Sequence, residues 1–248
     1  MEKLVYILII FLFENIGFSQ NQINNFTLEA PLKTDSLQKL NLWATQYYIH
    51  QFTSSGKIPV VFEDGQNRQL FGDTCDFCTA ALEGTAYITD STGKVVVINY
   101  ASHGDSNWVD CRKCKKFQNS KLDVESWGRV IWKVSNAFGN GVQNYQLIPY
   151  RTIAVDPNII PYGSVVYVPK AKGDSIQMPN GEIFVHDGYF FAGDTGGAIK
   201  KNHIDIFTGI YAQNPFKDFL FSNPDESFEA FFITNEKIIQ YFDEISRK

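Results

Sequence analysis

Short apolar runs separated by turn residues dominate the chain, and few windows repeat at helical spacing. Residues 42–52, rich in aromatics, read as a strand. Residues 95–101 are a second strand, entered through the turn Asp90-Ser-Thr-Gly93, and 127–134 a third. Between 53 and 74, Gly56, Pro59, Gly65 and Gly72 break the pattern into short strands and turns. After a loop at 135–145 the punctuation becomes regular. Strands are expected at 151–155, 165–170, 182–186, 203–209 and 228–234, with proline turns at 156–164 and a loop at 172–181. A short helix over 236–245 closes the chain. Many short strands with a turn every ten residues or so predict a closed or nearly closed β-barrel.

The first residues follow another pattern. Lys3 precedes an apolar run at 4–13, and Gly17-Phe18-Ser19 puts small residues where a signal peptidase cuts. Residues 1–19 are therefore expected to be a signal peptide. The run is too short for a bilayer core of ~30 Å, which needs roughly 20 apolar residues. No cysteine lies near the cut, which closes the lipoprotein route, and no second run of spanning length follows. The mature protein is expected to have no transmembrane anchor and to be exported: to a periplasm, to the cell envelope or outer membrane, or out of the cell. Residues 20–40 read as a polar linker.

Composition adds exclusions. The 248 residues are 44% hydrophobic and 20% charged, an ordinary globular balance. The net charge is −5 with no dense Lys/Arg block, so nucleic acid is not an expected partner. The 15% aromatic content suits a β core or a sugar-stacking surface.

Four cysteines form two CxxC pairs, Cys75/Cys78 and Cys111/Cys114. They suit a structural zinc site or two disulfides, and export favours the disulfides. Either arrangement staples an inserted segment.

Chemistry concentrates between Arg151 and Gly209. Asp194 precedes Thr195-Gly196-Gly197, where the backbone is free to turn sharply. Asp205 lies in the alternation Ile204-Asp205-Ile206, which puts the two isoleucines on one face and Asp205 on the other with His203 and Phe207. A carboxyl in that company loses water and holds its proton more tightly, as a general acid requires. Singly, each feature has a plainer reading: a capped loop at Asp194, a turn at Asp156-Pro157, core packing for Tyr189-Phe190-Phe191, satisfied imidazoles at His186 and His203. No HExxH, GxSxG, P-loop or GxGxxG occurs, so metalloprotease, serine-hydrolase and nucleotide chemistry have no motif to stand on.

Together, TIAVDPNIIPYGSVVYVP and AGDTGGAIKKNHIDIF resemble the three-aspartate (3D) domain, shared by the membrane-bound lytic transglycosylase A family and by Gram-positive cell-wall and resuscitation-type proteins. The family's three aspartates fall on Asp156, Asp194 and Asp205. Its leading Ala-Thr-x-Tyr strand looks like Ala44-Thr45-Gln46-Tyr47. Lys201 stands where the family has glycine, which bears on the local turn and on the shape of the groove.

The resemblance implies a mainly β fold: an RlpA-like double-psi β-barrel with a cysteine-containing insertion and a few short helices. The first barrel strand and the insertion would occupy 41–145, the 3D domain 146–236 and a C-terminal tail 237–248. It further implies cleavage of the β-1,4 bond between N-acetylmuramic acid and N-acetylglucosamine in peptidoglycan glycan strands, leaving 1,6-anhydromuramic ends. No metal enters that chemistry. Ordinary glycosidases need two carboxylates. When the sugar's own C6 hydroxyl attacks, it is already tethered, with an effective molarity of order 10⁵ M or more, and one acid suffices. By position Asp205 is that acid/base, Asp194 supports it and Asp156 braces the turn that shapes the groove. Lys200 is a candidate for a substrate carboxylate, Tyr162 and Tyr189 for stacking on sugar, and Gly196, Gly197 and His203 for the lining. A non-catalytic peptidoglycan-binding module and a hydrolytic glycosidase using Asp187 or Asp194 as second carboxylate are the alternatives, along with a cysteine-based structural or metal-binding protein.

Overall fold

The computed structural model describes residues 27–247 apart from 33, 35, 36, 178–181, 211 and 212. The expected signal peptide and the first part of the expected linker lie outside the described residues. The elements are β1 (Lys39–Tyr47), β2 (His50–Thr53), β3 (Ile58–Pro59), β4 (Phe71–Gly72), α1 (Thr74–Glu83), β5 (Thr85–Thr89), β6 (Val95–His103), α2 (Val124–Trp127), β7 (Val130–Val134), β8 (Thr152–Ala154), β9 (Val165–Tyr167), β10 (Ser175–Gln177), β11 (Ile183–Val185), β12 (Tyr189–Asp194), β13 (His203–Phe207), β14 (Phe228–Phe232) and α3 (Glu236–Ser246).

Six strands close a barrel in the order β1-β13-β8-β12-β9-β14. Two contacts, β1 with β13 and β8 with β12, are parallel. The other four are antiparallel. Strand alternation fills the interior with Leu42, Ala44, Ile153, Val166, Phe190, Ala192, Ile204, Ile206, Phe228 and Ala230, all buried in one cluster. Outward-facing Val165, Tyr167, Tyr189 and Phe191 are covered by α3 through Phe242. That helix is capped by Asn235, whose side chain accepts from the Lys237 and Ile238 N–H groups. The helix expected over 236–245 is thus α3, packed on the outside of the barrel.

Between β1 and β8 the chain builds a second sheet, in the order β2-β5-β6-β7. One face packs Ala86, Ile88, Ile98, Val130 and Trp132 with Ala80 of α1. From the other face Tyr87, Val95 and Val97 meet Tyr47, Ala154, Ile199 and Phe207 of the barrel. The CDFC motif lies on α1, which Asp73 caps through the Asp76 N–H and which ends at Gly84 in a left-handed conformation. Disulfides join Cys75 to Cys114 and Cys78 to Cys111, so all four sulfurs are bonded and the zinc reading falls.

Other expectations shift too. The strand expected at 42–52 is two strands, β1 and β2, broken at Tyr48–Ile49, and β1 starts at Lys39, inside the expected linker. The strand expected at 182–186 is β11, which pairs with β10 outside the barrel. The barrel strand of that region is β12.

Candidate active site

Four residues form a row across the outside of four adjacent barrel strands. Thr45 of β1 is in register with Asp205 of β13, and Asp205 with Ala154 of β8. Ala154 is in turn in register with Asp194 of β12. With strands about 4.8 Å apart, the two aspartate backbones stand about 10 Å apart across one alanine. A small side chain at Ala154 leaves the space between the carboxyls open.

Asp205 reaches this face by plain alternation, Ile204 and Ile206 pointing into the barrel. Asp194 does not. Phe190 and Ala192 point inward, so strict period two would send Asp194 inward as well. The register slips between Ala192 and Asp194, and this one-residue bulge at Gly193 turns Asp194 outward. Gly141 lies against the bulge: a Cβ there would come within 2.2 Å of the Gly193 carbonyl oxygen.

The row is held by hydroxyls. Thr45 Oγ1 lies 2.7 Å from Asp205 Oδ1 and 2.8 Å from His203 Nε2. Tyr47, two residues along β1, donates its hydroxyl to Asp194 Oδ2 at 2.6 Å, and the Thr195 N–H donates to Asp194 Oδ1 at 2.8 Å. Among the described residues no Lys or Arg bonds either carboxyl. Burial pushes Asp205 up to about 7; the Thr45 bond opposes this and the Asp194 charge adds to it. Burial pushes Asp194 up to about 6 against the Tyr47 and Thr195 bonds. Tyr47 is raised as well, first by burial and then by Asp194.

Asp205, Ala154 and Asp194 of the row line a groove of about 830 Å³ between the barrel and the inserted sheet, with Tyr47, Glu83, Asn140, Gly196 and Gly197 on its walls. Glu83 was not evident from the sequence. It ends α1, and its Oε2 accepts the Tyr48 N–H at 3.1 Å. Burial pushes it up to about 7, with the Asp205 charge contributing in the same direction.

The remaining candidates lie elsewhere. Asp156 accepts the Lys201 N–H at 2.8 Å and the Asn158 N–H at 3.1 Å, and the Lys201 bond leads in holding it below the usual carboxylate range. It thereby ties the turn after β8 to the turn before β13. Lys201 takes a left-handed φ of 57°, a conformation that a residue with a Cβ holds under strain. Lys200 is exposed near Asp156, outside the groove lining. Tyr162 packs against the barrel core. Tyr189 is fully buried, its hydroxyl on the Glu29 carbonyl, and offers sugar no face. His203 lies beside the row, two residues from Asp205 along β13 and stacked on Trp43 at 3.5 Å, outside the lining. Asp187 is bound to Arg151 at 2.5 and 2.7 Å and is not open to serve as a second carboxylate. Among the described residues no group of three or more His, Cys, Asp or Glu side chains is placed to hold a metal.

Residues 151–215 match the family model of the 3D domain. Over 57 residues, 23% of this chain, the sequence is 46% identical to the cell wall-binding protein YocH of Bacillus subtilis, and the match spans only 14% of that relative. Among solved structures, Escherichia coli MltA with bound chitohexaose superposes with a TM-score of 0.51 at 17% identity, covering 77% of this chain and 71% of that one. The membrane-bound lytic murein transglycosylase of Agrobacterium tumefaciens gives a TM-score of 0.48 at 15% identity over 82% and 78%. The chain therefore carries a 3D domain at 151–215, set in a mainly β fold like that of MltA.

Proposed function

We propose that this protein is an exported lytic transglycosylase of peptidoglycan, built on a double-psi β-barrel and working with one acid/base, Asp205. The observation that carries the reading is the Asp205–Asp194 row: two carboxyls in one groove, with no Lys or Arg among the described residues bonded to either. Burial raises both carboxyls, Asp205 to about 7 and Asp194 to about 6, so of the two Asp205 is the one that keeps its proton to the higher pH. Asp205 gives its proton to the oxygen linking N-acetylmuramic acid to N-acetylglucosamine, and that bond breaks. The C6 hydroxyl of the muramic residue attacks its own C1, and its proton returns to Asp205. A 1,6-anhydro ring results, and water takes no part. Asp194, fixed by Tyr47 and Thr195, stands where positive charge builds on the sugar. Asp156 acts at a distance, bracing the loop between Asp194 and Asp205.

Export is supported by the two disulfides, which belong to an oxidising compartment. Among the described residues no helix is long and apolar enough to cross a membrane.

The match to a cell wall-binding protein favours a second reading, a module that holds glycan without cutting it. Mass analysis of a digest of purified sacculi separates the readings. Anhydro ends are the expected result. Reducing ends mean hydrolysis, and retention on sacculi without products means a binder.

A further inference from the structure

The hydroxyl of Thr45 lies between two groups, 2.7 Å from Asp205 Oδ1 and 2.8 Å from His203 Nε2. It has one hydrogen, so only one of these links can use it, and the other must be donated to the hydroxyl oxygen. Two senses are open. In the first, His203 donates from Nε2 to Thr45 and Thr45 donates to Oδ1, so any proton that Asp205 carries sits on Oδ2. In the second, Asp205 carries its proton on Oδ1 and gives that O–H to Thr45, which donates to Nε2. Asp205 Oδ2 has no hydrogen bond among the described residues and is not one of their enclosed atoms without a partner, so it is the oxygen left open in the groove. Only the first sense aims the proton there.

Register explains why these groups meet. Trp43 pairs with His203 and Thr45 with Asp205 across β1 and β13, and period two brings all four to one face. The indole lies flat on the imidazole, centroids 3.5 Å apart and planes 4° off parallel, with Nε2 towards Thr45. Burial holds the imidazole below its usual range, so the ring is neutral and has one hydrogen to give. Its two acceptors are Thr45 Oγ1 and the Ala198 carbonyl.

We propose that His203 is a positioning residue that, through the Thr45 hydroxyl, sets the working proton of Asp205 on Oδ2. An ionised Asp205 can only accept, so the carboxylate admits the first sense alone. In the proposed reaction, on which this inference rests, Asp205 gives its proton and later takes one back. With His203 protonated at Nε2 the hydrogen bonds keep one direction through both steps. Oδ2 gives its hydrogen to the leaving oxygen, Thr45 and His203 stay as donors behind the carboxylate, and Oδ2 receives the hydrogen of the C6 hydroxyl.

The first test needs no substrate. Long-range ¹H–¹⁵N NMR of the apo protein at about pH 6.5, where Asp205 still holds its proton, reports which nitrogen of each neutral imidazole carries the hydrogen, and His203→Phe assigns the ring. Nε2–H is the expected result, and Nδ1–H overturns the proposal. In Thr45→Val the ring hydrogen is expected to move to Nδ1, towards Ala198; a ring that does not change overturns the proposal too. The second test is turnover on soluble glycan strands, with thermal melting to check each fold. Phenylalanine keeps the stack on Trp43 but cannot donate. His203→Phe and Thr45→Val should each lower kcat about tenfold, the contribution of one hydrogen bond to a charged group, with KM unchanged. The double variant should lose no more than either alone, and Thr45→Ser should keep the wild-type rate. Losses that multiply in the double variant overturn the proposal. Absence of anhydro products from the wild type overturns the transglycosylase reading and leaves the NMR result to decide this one.

Discussion

The two ends of β12 treat buried acids in opposite ways. Just before the strand, Asp187 is bound by both terminal nitrogens of Arg151 and by the Leu28 and Tyr189 N–H groups. Burial pushes that carboxyl up, but the Arg151 bonds and charge outweigh it and hold Asp187 below the usual range. At the far end Asp194 has a phenol and one N–H, and with Asp205 it is pushed up to about 6 and 7. One barrel thus neutralises one acid and leaves the other two short of a partner. The first arrangement serves the fold. The second costs stability near neutral pH and leaves protons ready to move.

The largest effect is expected from removing the neutralising partner. Arg151→Met makes Asp187 a buried charge without a counter-ion and should cost about 3–5 kcal/mol by chemical denaturation. A loss under about 1 kcal/mol would erase the contrast. Next comes pH. Asp194, Asp205 and Glu83 have raised values in the folded state, so their contribution to stability is complete below about pH 4 and drains away as pH rises through 6 to 7. Asp187 has the opposite sign: its contribution is present above its unfolded value near 4 and is lost as pH falls. Unfolding free energy should therefore decline between about pH 4 and 7 and level off above, by at most about 1.4 kcal/mol per pH unit for each proton involved, and Asp205→Asn should flatten the decline. A slope unchanged in Asp205→Asn would place that carboxyl in water. A smaller effect is expected at the third aspartate. Asp156→Ala should lower the melting temperature by a few degrees; normal melting with lost activity would move Asp156 into the site. The smallest concerns Lys201→Gly, which relieves the left-handed backbone and should gain at most about 1 kcal/mol. A loss there would show that the lysine side chain supports the turn.

One side of this contrast, Asp205 with Asp194, was legible in the chain, whereas the pairing of Asp187 with Arg151 was not. The alternation around Asp205 is short-range, so the sequence shows its phase directly. The phase of Asp194 depends on a bulge at Gly193, and glycine permits a slip without announcing one. Tyr189-Phe190-Phe191 read as core, correctly for burial, but Tyr189 was also offered to sugar because period two does not say that α3 covers that face. The pairing of four cysteines is a tertiary fact with three possible answers. The helix α1 was hidden by Thr74, Cys75 and Cys78, poor helix formers held by a cap at Asp73 and packing at Phe77. Glu83, at the end of that helix, enters the groove that holds Asp205 only once the second sheet has packed on the barrel.

The most direct measurement compares wild type with Asp205→Asn on purified sacculi, with mass analysis of released fragments and melting curves for both. The expectation is anhydro-muropeptides from the wild type, none from the variant, and an intact fold in each. Anhydro-muropeptides released by Asp205→Asn at the wild-type rate would contradict the account, because the proton would then come from another group.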